Sequence, residues 1–248
     1  MKRVKIDYRS LADSIEEWIR ETVSEASVNG VVVGLSGGLD SAVSAALCAA
    51  ALGKENVLGL IMPCGSMQSD TDDGLRIAEH LGIRHKSVDL SPVLMSFTVG
   101  LDDASVLNIA NIKSRLRMAM LYAHSSGRLV LGTSNYSEIL VGYWTKWGDG
   151  AADLLPIGRL YKDEVRELAA VLGLPRWVIA RVPSAGLWPG QSDEEEMGVS
   201  YLDIRAYFQG DTVSESAAAR IEKMVKSTEH KRNPIVYFNA RKWMEDNG

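Results

Sequence analysis

Leu11, Ile15, Trp18, Ile19 and Val23 recur at helical spacing, with Asp13, Glu16, Glu17 and Arg20 between them. Such spacing gathers apolar side chains on one face and predicts an amphipathic helix ahead of the first strand. Val31-Val32-Val33-Gly34-Leu35 then runs apolar without interruption, as a strand buried on both faces does. Ser36-Gly37-Gly38 breaks the run, and an Ala-rich helix is predicted over 40–52, stopped by Gly53. Further strands are predicted over 57–62, 84–88 and 129–131, the last closed by Gly132-Thr133. Helices are predicted over 70–80 and 106–124, then over 137–141, 162–172, 176–180, 193–209 and 214–226.

Strands alternating with helices predict an α/β fold: a doubly wound, Rossmann-like parallel sheet flanked by helices, here as one domain over 1–248. Ligands of such sheets sit at the carboxyl ends of the strands. Attention therefore falls on the loops after the first, second and fourth strands, and on two turn-rich stretches, 142–150 and 184–192.

Composition narrows the partners. The 248 residues carry 27 Lys plus Arg against 32 Asp plus Glu, a net charge of −5, with 46% apolar and 24% charged residues. An acidic balance argues against a nucleic-acid partner held by bulk charge. The longest apolar stretch, near Ala42 to Leu52, is shorter than the roughly 20 residues a bilayer span needs, so no membrane partner is expected. Met1-Lys2-Arg3-Val4-Lys5 is not the start of a standard secretory signal, and Cys48 and Cys64 lack metal-type spacing, so a cytoplasmic location is expected.

The segment Gly34-Leu35-Ser36-Gly37-Gly38-Leu39-Asp40-Ser41 joins a strand to a helix. Paired glycines let backbone N–H groups turn inward, and the following helix adds free N–H groups and a positive dipole end, which together suit phosphate. The segment is neither a Walker loop nor a Gly-x-Gly-x-x-Gly fingerprint. Asp40 would repel phosphate unless a cation lay between them, which points to Mg²⁺. The plainer alternative is a Gly-Gly turn with Asp40 as a helix N-cap.

Ser36-Gly37-Gly38-Leu39-Asp40-Ser41 resembles the pyrophosphate loop of the N-type ATP pyrophosphatases, which split ATP between its α and β phosphates. Asn111-Ile112-Lys113-Ser114-Arg115, Leu131-Gly132-Thr133-Ser134-Asn135, Thr145-Lys146-Trp147-Gly148-Asp149-Gly150 and Glu229-His230-Lys231-Arg232 resemble ammonia-dependent NAD synthetases more specifically. Asp153-Leu154-Leu155-Pro156 and Pro183-Ser184-Ala185-Gly186-Leu187 do so as well. The resemblance implies ATP-driven adenylation of deamido-NAD, attack by ammonia, and release of NAD, AMP and pyrophosphate.

Position by position, the resemblance assigns ATP to Gly34, Leu35, Ser36, Gly37, Gly38, Leu39, Asp40, Ser41, Thr133, Lys162 and Ser184. It assigns Mg²⁺ to Asp40 and Glu138, catalysis to Asp40 and Lys162, and deamido-NAD to Arg115, Lys146, Asp149, Asp153, His230 and Lys231. Plainer readings stand beside these. Glu138 and Arg115 could be solvated, Lys162 could be an exposed residue of a first helical turn, Asp149 could serve its turn, and His230 could be a surface residue. Ser184–Ser192 is expected to order over ATP. Ser192-Asp193-Glu194-Glu195 reads as a capping box, Glu194 to Glu196 as a solvated face, and Asn135-Tyr136-Ser137 as a glycosylation pattern without consequence.

Some members of the family carry a nitrilase-type glutaminase domain; thirty residues before Val31 leave no room for one, so direct use of ammonia is expected. The family further implies a homodimer whose substrate site is shared. The alternatives are another amidating or thiolating ATP pyrophosphatase, or a non-catalytic adenine-nucleotide module. The latter would not need Asp40, Glu138 and Lys162 together.

Overall fold

Four short strands, β1 (Gly30–Gly34), β2 (Val57–Ile61), β3 (Arg84–Ser87) and β4 (Arg128–Leu131), pair in parallel in the order β3-β2-β1-β4. The computed structural model describes residues 6–101, 103–184 and 192–247. The helices are α1 (Tyr8–Glu25), α2 (Leu39–Leu52), α3 (Gln68–Leu81), α4 (Ser91–Thr98), α5 (Val106–Ala123), α6 (Tyr136–Val141), α7 (Lys162–Val171) and α8 (Arg176–Ile179). They continue as α9 (Asp193–Met197), α10 (Tyr201–Gln209), α11 (Glu215–Ser227), α12 (Glu229–Arg232) and α13 (Ala240–Asn247).

In-register pairing sets Val32 opposite Leu58 and Val130, so alternate residues serve opposite faces of the sheet. Val31, Val33 and Leu131 pack into one layer with α1, α2, α7 and α8, joined by Ile77 and Ala78 of α3. Val32, Leu58, Leu60 and Val130 pack into the other with Leu94 of α4 and Leu116 and Met120 of α5. With both faces covered, the apolar runs read as strands without alternation. The sheet is doubly wound, as expected.

The chain leaves β1 for β2 on one side and returns to β4 on the other. That reversal opens a crevice at the carboxyl ends of β1 and β4. Beyond β4, Leu154 forms a parallel bridge to Leu131, and the Gly132 N–H donates to the Leu154 carbonyl at 2.9 Å. A third apolar cluster joins α6 to α10 and α11 through Val141, Met197, Val199, Tyr201, Ile204 and Ile221.

Several expectations need correction. The single helix predicted over 193–209 is two helices, because Gly198 takes φ +67° and Ser200 then caps α10 by accepting from the Asp203 N–H. Ser192 makes no side-chain cap, and Asp193 is buried, so the expected capping box is absent. Glu194 and Glu196 are exposed yet engaged: Glu194 accepts from the Tyr201 N–H at 2.8 Å, and Glu196 from the Tyr143 hydroxyl at 2.7 Å. Helices α4, α12 and α13 lack predicted counterparts; α12 is a single turn and α13 buries no residue. Asn135 of the glycosylation pattern is fully buried. Among the described residues, no helix is long and apolar enough to cross a membrane. Of the stretch 184–192, residues 185–191 lie outside the described residues.

Candidate active site

The loop after β1 is shaped by close packing. Gly37 takes φ +80°, and a Cβ there would lie 2.8 Å from Asp73 Cβ and 3.1 Å from the Asp70 carbonyl oxygen. Only glycine suits that conformation and that space. Gly38 is the N-cap of α2 and has no side chain to bond the first N–H groups of the helix, which leaves them for an anion. Ser41 Oγ donates to the Gly38 carbonyl at 3.0 Å and lies 3.2 Å from Ser36 Oγ, so both hydroxyls border the loop.

Asp40 does not cap α2; it sits inside the first turn, and its carboxylate pairs with the Lys162 ammonium. Lys162 opens α7 and is 3% exposed, which removes the reading of a solvated first-turn residue. Its ammonium also lies 3.7 Å from Glu138 Oε1 and 5.1 Å from the centre of the Tyr201 ring. Burial works against the charge of Lys162, but Asp40 and Glu138 outweigh it and hold the ammonium above its ordinary pKa.

Glu138 is fixed by a true capping box. Its N–H donates to Asn135 Oδ1 and its Oε2 accepts from the Asn135 N–H, each at 3.1 Å. Glu138 Oε1 accepts from Asn135 Nδ2 at 2.7 Å and from the Tyr201 hydroxyl at 3.2 Å. Burial first, then the negative charge of Asp40, push the Glu138 carboxyl above the usual carboxylate range; Lys162 pulls the other way. Tyr201 also bonds Asp193 Oδ2 at 3.0 Å, and Tyr143 bonds Asp193 Oδ1 at 3.2 Å. Burial raises Asp193 as well, against the pull of Lys162.

The second group of predicted residues surrounds the turn over 142–150. Ser114 of α5 donates to Asp149 Oδ1 at 2.6 Å, and the Thr145 N–H donates to the same oxygen at 3.0 Å. Asp149 therefore serves its turn, as the plainer reading had it, while also bordering the cleft. Gly148 packs so tightly that a Cβ would lie 2.3 Å from Ser114 Oγ, and Trp147 beside it is held at φ +63°.

The predicted cations hold backbone carbonyls. Arg115 donates to the Lys146 carbonyl at 3.2 Å, Lys146 to the His230 carbonyl at 2.6 Å, and Lys231 to the Gly142 carbonyl at 2.8 Å and to that of Trp144. Burial pushes the Lys231 ammonium below its ordinary pKa, with Asp149 opposing.

Asp40, Glu138, Lys162, Asp193, Arg115, Lys146, Asp149 and Lys231 line one cleft of about 720 Å³, at the carboxyl ends of β1 and β4. Of the residues singled out from sequence, only Gly37 and Asp153 do not line it. Asp153 sits beside β4, where its Oδ2 accepts from the Val130 N–H at 2.7 Å and its Oδ1 from the Tyr122 hydroxyl at 3.2 Å. Thr133, Ser184 and His230 line the cleft.

The NAD synthase family model matches residues 11–235. The chain belongs to the NAD synthase family. Within that family, the NH(3)-dependent NAD(+) synthetase of Archaeoglobus fulgidus is 44% identical over 235 residues, covering 92% of this chain and 95% of that protein. The solved NMN synthetase of Francisella tularensis matches with TM-score 0.91 and 36% identity, over 95% of this chain and 100% of that one. An NH3-dependent NAD synthetase from Campylobacter jejuni, in complex with the nitrate ion, matches with TM-score 0.82 and 31% identity, over 95% and 100% of the two chains.

Sequence reasoning missed Tyr143, Arg181 and Asp193, which line this cleft, and Tyr201, whose hydroxyl bonds Glu138 and Asp193. Tyr143 lies in the turn-rich stretch 142–150 and Asp193 in the apparent cap at 192–195, but neither pattern marks a site role, and Arg181 and Tyr201 lie in no motif. Asn135 carried a usable signal, because Asn135 and Glu138 have capping-box spacing ahead of an apolar run.

Proposed function

We propose that this NAD synthase family member amidates deamido-NAD to NAD with ammonia, cleaving ATP to AMP and pyrophosphate. The observation that carries the reading is the union, in one cleft, of a phosphate-type loop with the buried Lys162–Asp40–Glu138 cluster. The open N–H groups of α2, with Ser36 and Ser41, bind the polyphosphate tail. Lys162 offsets the charge that builds on the departing pyrophosphate. The nicotinate carboxylate attacks the α-phosphorus, the bond to the β-phosphate oxygen breaks, and an acyl adenylate forms. Ammonia then attacks the acyl carbon, AMP leaves, and one proton is released. Adenylation is needed because a free carboxylate is a poor acceptor for ammonia.

Asp40 and Glu138 suit Mg²⁺, which takes one or two carboxylates together with substrate phosphates. Two carboxylates share one ammonium there, beside the loop that would hold the phosphates. Bound at these two residues, the ion would supply positive charge to the phosphates. Arg115, Lys146, His230 and Lys231 are gathered around the turn over 142–150 and are assigned to the dinucleotide; Asp149 orders that turn.

Residues 1–248 are proposed to act as one synthetase domain that takes free ammonia in the cytoplasm, a compartment that suits the two free cysteines. A homodimer is proposed on α4 and the start of α5, where Met95, Phe97, Val106 and Leu107 are exposed. Leu107 also lines the cleft, so a second copy on this face would border the substrate site.

The match to an NMN synthetase favours a second reading, in which nicotinate mononucleotide is the acid amidated. The test is product formation from each acid with ATP, Mg²⁺ and ammonium, with glutamine as comparison. The main reading expects NAD with ammonium and little with glutamine; preference for the mononucleotide would select the second. ADP and phosphate as products, or no turnover with either acid, would contradict both.

A further inference from the structure

The geometry points to Arg181 as a positioning residue that turns the Gly37–Gly38 peptide so that the nucleotide loop can accept phosphate. The inference rests on the loop reading given above and extends it to a residue outside every motif the sequence offered.

Arg181 follows α8, 144 residues from Gly37 in the chain. Its Nη2 donates to Asp70 Oδ1 at 2.5 Å, and its Nη1 pairs with Asp73. The two carboxylates stand three residues apart on the first turns of α3 and so share one helix face. The same Nη1 reaches the Gly37 carbonyl oxygen at 3.4 Å. A guanidinium has the fixed fork required to hold three acceptors at once, which a lysine ammonium on a flexible stem does not reproduce. A neighbouring contact stiffens the frame: Arg76 of α3 bonds the other Asp73 oxygen at 2.9 Å and stacks 4.0 Å over the Trp177 ring of α8.

The consequence follows from peptide planarity. The C=O of Gly37 and the N–H of Gly38 point in opposite directions across one peptide unit. Arg181 draws the carbonyl toward α3. The N–H is thereby turned the other way, where it donates to Ser36 Oγ at 3.3 Å on the side of the cleft that Ser36 and Gly38 line and Gly37 does not. Flipped, the same peptide would present a carbonyl oxygen to an anion and repel it. Gly37 cannot be fixed by a side chain of its own, because its Cβ space is filled by Asp73 and Asp70. Arg181 supplies that restraint from outside the loop.

Calorimetric binding of ATP in the absence of the acid substrate tests this, using the full chain and the variants Arg181→Met, Arg181→Lys and Asp73→Asn. Positioning predicts that Arg181→Met raises the Kd for ATP at least about tenfold, the scale of a lost charge-assisted hydrogen bond, with Arg181→Lys between it and wild type. In turnover, KM for ATP should rise while KM for the acid substrate stays within about twofold, since the lost contact serves the ATP loop alone.

Asp73→Asn separates this role from direct contact. A positioning Arg181 is loosened by the substitution, so ATP binds more weakly. An Arg181 that itself grips phosphate is freed by it, so ATP binds equally well or more tightly, and that result overturns the inference. Unchanged ATP binding in Arg181→Met overturns it as well. Should Arg181→Met not fold, Arg181→Lys and Asp73→Asn decide alone. Failure of the synthetase reading is recognised separately, as wild-type chain that binds ATP but amidates neither acid.

Discussion

The Lys162 ammonium at the start of α7 is paired with the Asp40 carboxylate at the start of α2, 122 residues earlier in the chain. Two helix starts thus deliver opposite charges to one point at the mouth of the phosphate loop. Helix α7 is itself held there: Arg205 of α10 bonds Glu164 Oε1 at 3.0 Å and pairs with Asp163.

Replacing Lys162 with Met keeps most of the unbranched side chain and removes the charge. Asp40 and Glu138 are then left facing each other without a counter-ion. The account predicts a fall in turnover of about 10²–10³-fold and a loss of roughly 3–5 kcal/mol in urea unfolding. Adding Asp40→Asn should return part of the stability and none of the activity. Restored turnover in the double variant would contradict the roles given to both residues.

Glu138 makes stability depend on pH in a stated direction. Its folded pKa lies above the ordinary 4.5, so between that value and the raised one the native state holds a proton that the unfolded chain has released. Stability must then fall as pH rises through that window. Gln can complete the same capping box. Glu138→Gln should therefore remain folded and flatten the dependence in metal-free protein. Mg²⁺ should raise the melting temperature of wild type and do so much less for Glu138→Gln. An equal rise in both would remove Glu138 from the cation site.

Asp149 and Asp153 separate a site residue from a structural one. Asp153→Ala leaves the Val130 N–H at the sheet edge without its acceptor and should cost about 1–3 kcal/mol in unfolding. The account expects KM values near wild type for that variant. Ser114→Ala, which releases Asp149 and its turn, should raise KM for the acid substrate several-fold and leave KM for ATP unchanged. A raised acid KM in Asp153→Ala would restore the contact that the family resemblance assigns to Asp153.

The Tyr201 hydroxyl bonds both Glu138 and Asp193. Tyr201→Phe keeps the ring beside Lys162 and the packing of α10. It should cost about 1–3 kcal/mol by removing the Tyr201 donor from the buried Asp193 Oδ2, and it should raise the Mg²⁺ concentration needed for half-maximal stabilisation. A loss of stability with no change in Mg²⁺ response would make Tyr201 purely structural.

The centre of the sheet was legible because β1 and β2 are buried on both faces and read as unbroken apolar runs, whereas β3, Arg84–Ser87, is an exposed polar edge strand. The loop at 36–41 was legible because paired glycines break the apolar run at the end of a buried strand and open directly into a helix. The Lys162–Asp40 contact could not be read from periodicity, since it depends on how α7 docks against α2. Family resemblance named both residues, and the structure brought them together. Asp193 was misread for a related reason. Its neighbours Ser192 and Glu195 have the spacing of a cap, but burial of Asp193 against Tyr201 and Tyr143 outweighs that local preference. The break at Gly198 was hidden inside a helical pattern that tolerates an isolated glycine. Arg181 gave no signal, because its partners lie on α3 and in the loop.

The central claim is that the acid substrate displaces pyrophosphate from the α-phosphorus of ATP at this loop. Deamido-NAD labelled with ¹⁸O in both carboxylate oxygens tests it directly by mass spectrometry of the nucleotide products. The account predicts AMP carrying one ¹⁸O for each NAD formed, with unlabelled pyrophosphate. Unlabelled AMP, or label in inorganic phosphate alongside ADP, would contradict it.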